Sequence, residues 1–393
     1  MTTRRKFLAG SIGYATLPVA AGLPGAARAQ TAGGGKPIII GAHGDRAKQA
    51  SYYSMLYKDA VETFLDELNK KGGANGRPVQ FMFEDDENSP VVAASRVEKL
   101  AAEGAFYILS MGSSATGVAA QAKGEELKIP IGSPTNTITA LSQPLRHYYF
   151  RMSIRDDLIA AALVEYVKRK ISNPRVGIVR DTTETGLLTS DSYIKLFKDG
   201  GLEMVSVEQI TPGSSDVTAQ ALKTKESGAN IVLIVGGSIP DLANYVKAHK
   251  GIRNDAPMIG NYLFTTAAFG RLTGNASDGF LFVDSVYPER PEVKEIMGKL
   301  IAAKGDRFQN NLSAVHAWEY IRLVLDAIGR AGSDDHEAIR NAMEKTSDWP
   351  VAIGPPGMKL SYSPTNHDLF TEPQQAVIRE YKDGQPGPAV PWK

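Results

Sequence analysis

The chain contains no cysteine. That absence excludes disulfides, thiolate metal sites, cysteine nucleophiles and lipid attachment through an N-terminal cysteine. Long apolar runs are also missing after the first thirty residues. Each later run is interrupted by charge within the length of a strand or helix, so no second segment reads as membrane-spanning. Charge is nearly balanced, with 44 basic and 43 acidic residues and a formal net charge of +1, which leaves no electrostatic footprint for nucleic acid. A Walker A loop is absent, as is a Gly-x-Gly-x-x-Gly fingerprint after the first strand. Gly112-Ser113-Ser114-Ala115-Thr116 misses the hydrolase nucleophile elbow, because Thr116 stands where the tight turn needs a second glycine. The six histidines (His43, His147, His249, His316, His336, His367) show no ligand-like spacing. No metal, no cofactor and no catalytic role are expected. The pair Asp85-Asp86 has the chemistry for acid/base work, although such a pair at a strand end more often is solvated or caps the next helix.

What is present begins with an export pattern. Arg4-Arg5 precede an apolar stretch, Ile12 to Leu23, that ends in Ala27-Arg28-Ala29. The stretch is broken by Gly13, Pro18 and Gly22 and is too short to span a bilayer comfortably. The arginine pair followed by Phe7-Leu8 resembles the twin-arginine type of signal, which carries folded proteins. Cleavage after Ala29 is expected, giving a soluble periplasmic protein. Removing Arg4, Arg5, Lys6 and Arg28 leaves 40 basic against 43 acidic residues, a net charge of about −3. The remaining length exceeds what one hydrophobic core usually serves, so two domains are expected.

Periodicity then sets the class. Pro37 to Ile40 reads as a buried strand and is followed by a helix with Val61, Phe64, Leu65 and Leu68 on one face. Strand Val79–Phe83, a helix from Ser89-Pro90 to Leu100, strand Ala105–Leu109, helix Gly117–Leu127 and strand Ile129–Ile131 continue the alternation. A second βα series runs from helix Leu158–Lys170 through strands near 176, 204, 231, 258 and 280. This rhythm predicts α/β lobes with mostly parallel sheets flanked by helices. The chain then turns helical over Pro291–Ala303, Ala314–Ile328 and Asp335–Lys345. It closes in a stretch rich in Pro and Gly, with short strands predicted at Met358–Tyr362 and Gln375–Tyr381.

In open parallel sheets ligands lie outside the C-terminal strand ends, which directs attention to the loops there. Ser110 to Gly117 runs into a helix and offers Ser113 and Ser114; Ser133-Pro134-Thr135-Asn136-Thr137 follows the next strand. A helix N-terminus with hydroxyls suits a carboxylate. Each loop taken singly reads more readily as a cap or a turn. In the second series Thr182–Gly186, Gly236-Gly237-Ser238-Ile239 and Asn261-Tyr262 occupy equivalent ends, a recurrence that fits a cleft between lobes.

Ile40-Gly41-Ala42, Asn69 to Gly73, Gly76-Arg77-Pro78, Asp85 to Pro90, Ile131 to Pro134 and Phe150-Arg151 together resemble the periplasmic solute-binding proteins of ABC importers, of the branched-chain amino acid type. The likeness covers nearly all of the mature chain. It implies a two-lobe type I fold with three hinge crossings, near 151–156, 284–285 and 354–355. Lobe 1 would comprise residues 36–153 with 285–353, and lobe 2 residues 154–284 with 354–393. It also implies a monomer with an inner-membrane permease as partner. By the same resemblance Ser114 and Thr135 or Thr137 hold a ligand carboxylate, while Tyr262 stands where relatives place a glutamate for the α-ammonium. Thr185 replaces a tyrosine, and Ser238-Ile239 replaces an aromatic pair. Because a buried ammonium without a counter-charge costs several kcal/mol, a carboxylate without an amine is expected, with an aromatic acid foremost and Tyr52, Tyr53 and Tyr262 as flat walls. Glu184 is the other candidate counter-charge. Amino acids or amides, or a ligand-sensing receptor role, are the alternatives.

Overall fold

The computed structural model describes residues 35–48 and 50–391. The arginine pair, the apolar stretch and the expected cleavage site lie outside the described residues. Strands β1 (Ile38–Gly44), β2 (Val79–Asp85), β3 (Tyr107–Ser110), β4 (Ile131–Ser133) and β5 (Tyr149–Arg151) form one sheet, ordered β2-β1-β3-β4-β5 and parallel throughout. A second sheet is built from β6 (Arg175–Asp181), β7 (Glu203–Ile210), β8 (Ile231–Val235), β9 (Met258–Gly260) and β10 (Leu281–Asp284). A short hairpin, β11 (Trp349–Pro350) with β12 (Lys359–Leu360), precedes two antiparallel strands, β13 (Val377–Lys382) and β14 (Gln385–Val390). These last two extend the second sheet to the order β14-β13-β10-β9-β8-β6-β7.

The strand sequences fit their places. In β8, Ile-Val-Leu-Ile-Val is buried at every position, as a central parallel strand covered on both faces must be. In β7, at the sheet edge, buried and exposed residues mix along the strand. Helices α1 (Ser51–Lys70), α2 (Pro90–Ala102) and α3 (Ser114–Leu127) connect the first sheet. The second is connected by α4 (Asp156–Lys170), α5 (Glu184–Asp199), α6 (Thr218–Glu226), α7 (Ile239–Gly251) and the short α8 (Ala267–Thr273). The late helices α9 (Pro291–Lys304), α10 (Ala314–Ala331) and α11 (His336–Glu344) return to the first sheet, where Trp318 of α10 meets Phe64 of α1 edge-to-face at 5.1 Å.

Three passages join the two sheets, and they lie against one another. The first follows β5, the second leaves β10 at Ser285, and the third leads to β13. Arg151 N–H donates to His367 O and Leu369 N–H to Arg151 O, while Gly354 N–H donates to Ser285 O at 2.7 Å. Arg290 binds the carbonyls of Val351 and Ile353 at 2.8 and 3.0 Å. From Tyr362 to Asp368 the chain still contacts the first sheet, with the Tyr362 hydroxyl on Arg151 O and His367 on Tyr149 O. It joins the second sheet only at β13.

Some local expectations shift. Helix α3 begins at Ser114, earlier than the apolar pattern suggests, because Ser113 caps it by accepting from Thr116 N–H. Helix α5 likewise begins at Glu184, with Thr183 as the cap. Strand β14 opens with Gln385-Pro386-Gly387-Pro388, whose prolines hide a strand from propensity but are tolerated at the sheet edge it occupies.

Candidate functional site

The C-terminal ends of both sheets face one cavity of about 80 Å³. The first lobe contributes the start of α3, with Gly112, Ser113 and Ser114, and the loop Thr135-Asn136-Thr137 after β4. Inside that helix start the Thr116 N–H is taken by Ser113 Oγ, and helix geometry leaves the amides before it without intrahelical acceptors. The partial positive charge of a helix N-terminus therefore points at the cavity. Thr135 and Asn136 are fixed by Ser133 Oγ, which accepts both of their N–H groups at 3.0 and 2.8 Å.

A buried arginine holds this loop from behind. Arg151 donates to Asn136 O and Ile138 O, each at 2.6 Å, and pairs with buried Asp368 at 3.3 Å. The first hinge passage and the loop carrying Thr135 and Thr137 are thus one rigid unit.

The second lobe contributes Thr185 and Thr189 on one face of α5, Gly236-Gly237 after β8, and Asn261 to Leu263 after β9. Here the organiser is Asp181 at the end of β6, fully buried. Its carboxylate accepts from Thr183 N–H at 3.0 Å, from Thr183 Oγ1, and from the N–H groups of Gly237 and Ser238 at 2.7 and 2.8 Å. A Cβ on Gly186 or Gly236 would collide with that carboxylate, so both positions need glycine for close approach.

Direct hydrogen bonds cross between the lobes. The Tyr53 hydroxyl of α1 donates to Leu263 O. The Tyr262 hydroxyl meets His316 Nδ1 of α10 at 3.2 Å, and His316 Nε2 meets Ser285 Oγ of the second passage at 2.8 Å. Burial pushes the Tyr53, Tyr57 and Tyr262 phenols above their usual range, so all three are neutral. Burial also lowers His316 to about 4, against an opposing pull from Asp284. No charged side chain is among the described residues lining the cavity.

Of the residues singled out in the sequence, Tyr53, Ser113, Ser114, Thr135, Thr137, Thr185 and Tyr262 are brought together. Ser238 is not among the lining residues; it is buried and its hydroxyl donates to Asp241 Oδ2 at 2.5 Å. Tyr52 is 40% exposed, and Glu184 is exposed at the first turn of α5. Neither lines the cavity. Sequence reading passed over Tyr57 and Thr189, although each sits four residues after a chosen residue on the same helix and so shares its face. Asp86 is fully buried and pairs with buried His43 at 2.9 Å; its carboxylate packs against the backbone of Gly112 but is not itself among the lining residues. Among the described residues no His, Asp and Glu cluster fit to hold a metal occurs, and no helix is long and apolar enough to cross a membrane. A larger depression of about 500 Å³ lies on the outer face of the first lobe, between α1, α9 and α10. It is remote from the strand ends, whereas the smaller cavity lies at them and is lined by both lobes.

Residues 37–372 match the family described as periplasmic binding protein. The chain belongs to that family. A Leu/Ile/Val-binding protein of Rhizobium johnstonii, BraC3, is 25% identical over 336 residues, covering 85% of this chain and 89% of that one. A type 1 periplasmic binding protein from Bordetella pertussis has the same fold, with a TM-score of 0.79 at 20% identity over 90% of this chain and all of the other. So does the branched-chain amino acid transporter substrate-binding protein LivJ from Streptococcus pneumoniae, solved with isoleucine. Its TM-score is 0.79 at 19% identity, covering 90% of this chain and 99% of that one. The two-lobe type I architecture of this periplasmic binding protein agrees with the expectation from its sequence.

Proposed function

We propose that this protein is the substrate-binding component of an ABC importer and captures a small carboxylate lacking an α-amine between its lobes. The lobes are taken as residues 36–153 with 285–353 and residues 154–284 with the C-terminal remainder, the segment up to Asp368 riding on the first. The observation that carries the ligand class is the lining itself: hydroxyls and a helix N-terminus, with no carboxylate to meet an ammonium. A helix N-terminus and neutral O–H donors stabilise an anion, and an unpaired ammonium there would cost several kcal/mol. Tyr53 and Tyr57 are stacked, with centroids 6.1 Å apart, and with Tyr262 they supply flat apolar surface, so an aromatic acid heads the candidates. In this reading the closed monomer docks on an inner-membrane permease from the periplasmic side. Export through the twin-arginine route fits the arginine pair and the apolar stretch behind it.

The names of the relatives support a second ligand class, leucine, isoleucine or valine. A stability screen separates the two. The mature protein, unfolded and refolded to strip carried ligand, is melted with aromatic acids, aliphatic acids, amino acids and amides. Ligand at a hundredfold excess over Kd stabilises the native state by about 2.7 kcal/mol. Acids are expected to raise the melting temperature and leucine is not; a leucine response alone would overturn the carboxylate reading.

A further inference from the structure

One polar group at the cavity is unaccounted for by the carboxylate clamp. Tyr57 lies on the inner face of α1, is fully buried, and lines the cavity. Its hydroxyl completes no well-formed hydrogen bond among the described residues: the Thr135 and Ser313 hydroxyls lie near enough for weak interaction only, and the buried Ser313 hydroxyl likewise has no well-formed partner. Tyr262 is its neighbour on the opposite lobe. The phenol is neutral, so its hydroxyl carries a proton that it can donate to an acceptor on the ligand. Buried hydroxyls are nearly always satisfied, and leaving one unpaired is costly.

We infer that Tyr57 is a specificity-determining donor that reads a second acceptor oxygen on the ligand, close to its carboxylate. This rests on the carboxylate reading above and sharpens it. The position is set by the neighbours: Thr135 belongs to the loop assigned to the carboxylate, so an acceptor reached by Tyr57 sits one or two bonds from that group. The ligand class is therefore a 2-oxo or 2-hydroxy acid with an apolar body. Ser313, which does not line the cavity, is near enough to donate to the phenol oxygen once the Tyr57 hydroxyl is oriented toward the ligand.

The test pairs two acids with two proteins. Affinities of stripped wild type and Tyr57→Phe are measured by calorimetry for 3-phenylpropanoate and for 2-oxo-3-phenylpropanoate. In the wild type the added oxygen strengthens binding about tenfold, the scale of one buried hydrogen bond, and in Tyr57→Phe that gain disappears. A gain of equal size in both proteins, or none in the wild type, overturns the inference. Failure of both acids to bind the wild type overturns instead the carboxylate reading on which it rests. The ligand-free proteins give an independent check. Tyr57→Phe removes an unsatisfied group without changing shape, so it melts at or above the wild-type temperature; a lower one would mean that the hydroxyl has a structural partner and no ligand to read.

Discussion

Ser114 occupies the first helical position of α3, only 8% exposed, and faces the cavity where the helix amides converge. A hydroxyl there donates to an anion without carrying charge of its own, and hydrogen bonds to charged groups contribute about 1.5–3 kcal/mol. Ser114→Ala is therefore expected to weaken carboxylate binding by about 10- to 100-fold by calorimetry while leaving the melting temperature of the ligand-free protein nearly unchanged. Ser113 has a different part. Its side chain caps α3, so its loss falls on stability. Sequence alone could not separate these two serines, because cap and donor draw on the same residue types and only the helix start decides which is which.

At the scale of elements, the cavity is made of loops that are themselves fixed by buried charge. Asp181 ties the start of α5 to the Gly236–Ser238 turn, and Arg151 ties the Thr135–Thr137 loop to the hinge. Replacing Asp181 by Ala would strand several buried amides, and urea unfolding is expected to lose about 3 kcal/mol or more, with ligand affinity falling alongside. The alternation of strands and helices was legible because Ile, Val and Leu runs at strand length are bounded by Gly and Pro. That Ser114, Thr135 and Thr185 would lie at the cavity was legible because they follow strand ends, whereas Tyr53, on α1, was reached only as a flat wall suggested by the family resemblance. Asp181 and Arg151 were passed over as site organisers because their partners are backbone groups far along the chain, which no local pattern encodes. Strand β5 and edge strand β14 escaped for local reasons, the first being three residues long and the second proline-rich.

The whole molecule is two lobes on a compact three-passage hinge, and His316 joins it to the closed cleft. Its ring spans Tyr262 of one lobe and Ser285 of a passage, fully buried. Burial lowers it to about 4 from 6.5. The unfolded chain therefore takes up a proton that the folded chain refuses, and stability present above 6.5 is lost as the pH falls toward 4. Asp156, at the first passage, works oppositely: burial raises it from 3.8 to about 6, so its contribution is present below 3.8 and lost as the pH rises through 6. Between about pH 4 and 6 the two offset each other. In His316→Gln the urea midpoint is expected to rise on acidification across that window, and in Asp156→Asn it is expected to fall more steeply than in the wild type.

The central claim is that the cleft accepts a carboxylate and has no place for an α-ammonium. Titration calorimetry of the stripped protein against matched pairs tests it most directly: leucine with 4-methylpentanoate, and phenylalanine with 3-phenylpropanoate. The deaminated acid of at least one pair should bind, and the amino acid of that pair should bind at least about 100-fold more weakly, the scale of an uncompensated buried charge. Equal or tighter binding of leucine or phenylalanine would contradict the account and require a counter-charge that the lining does not supply.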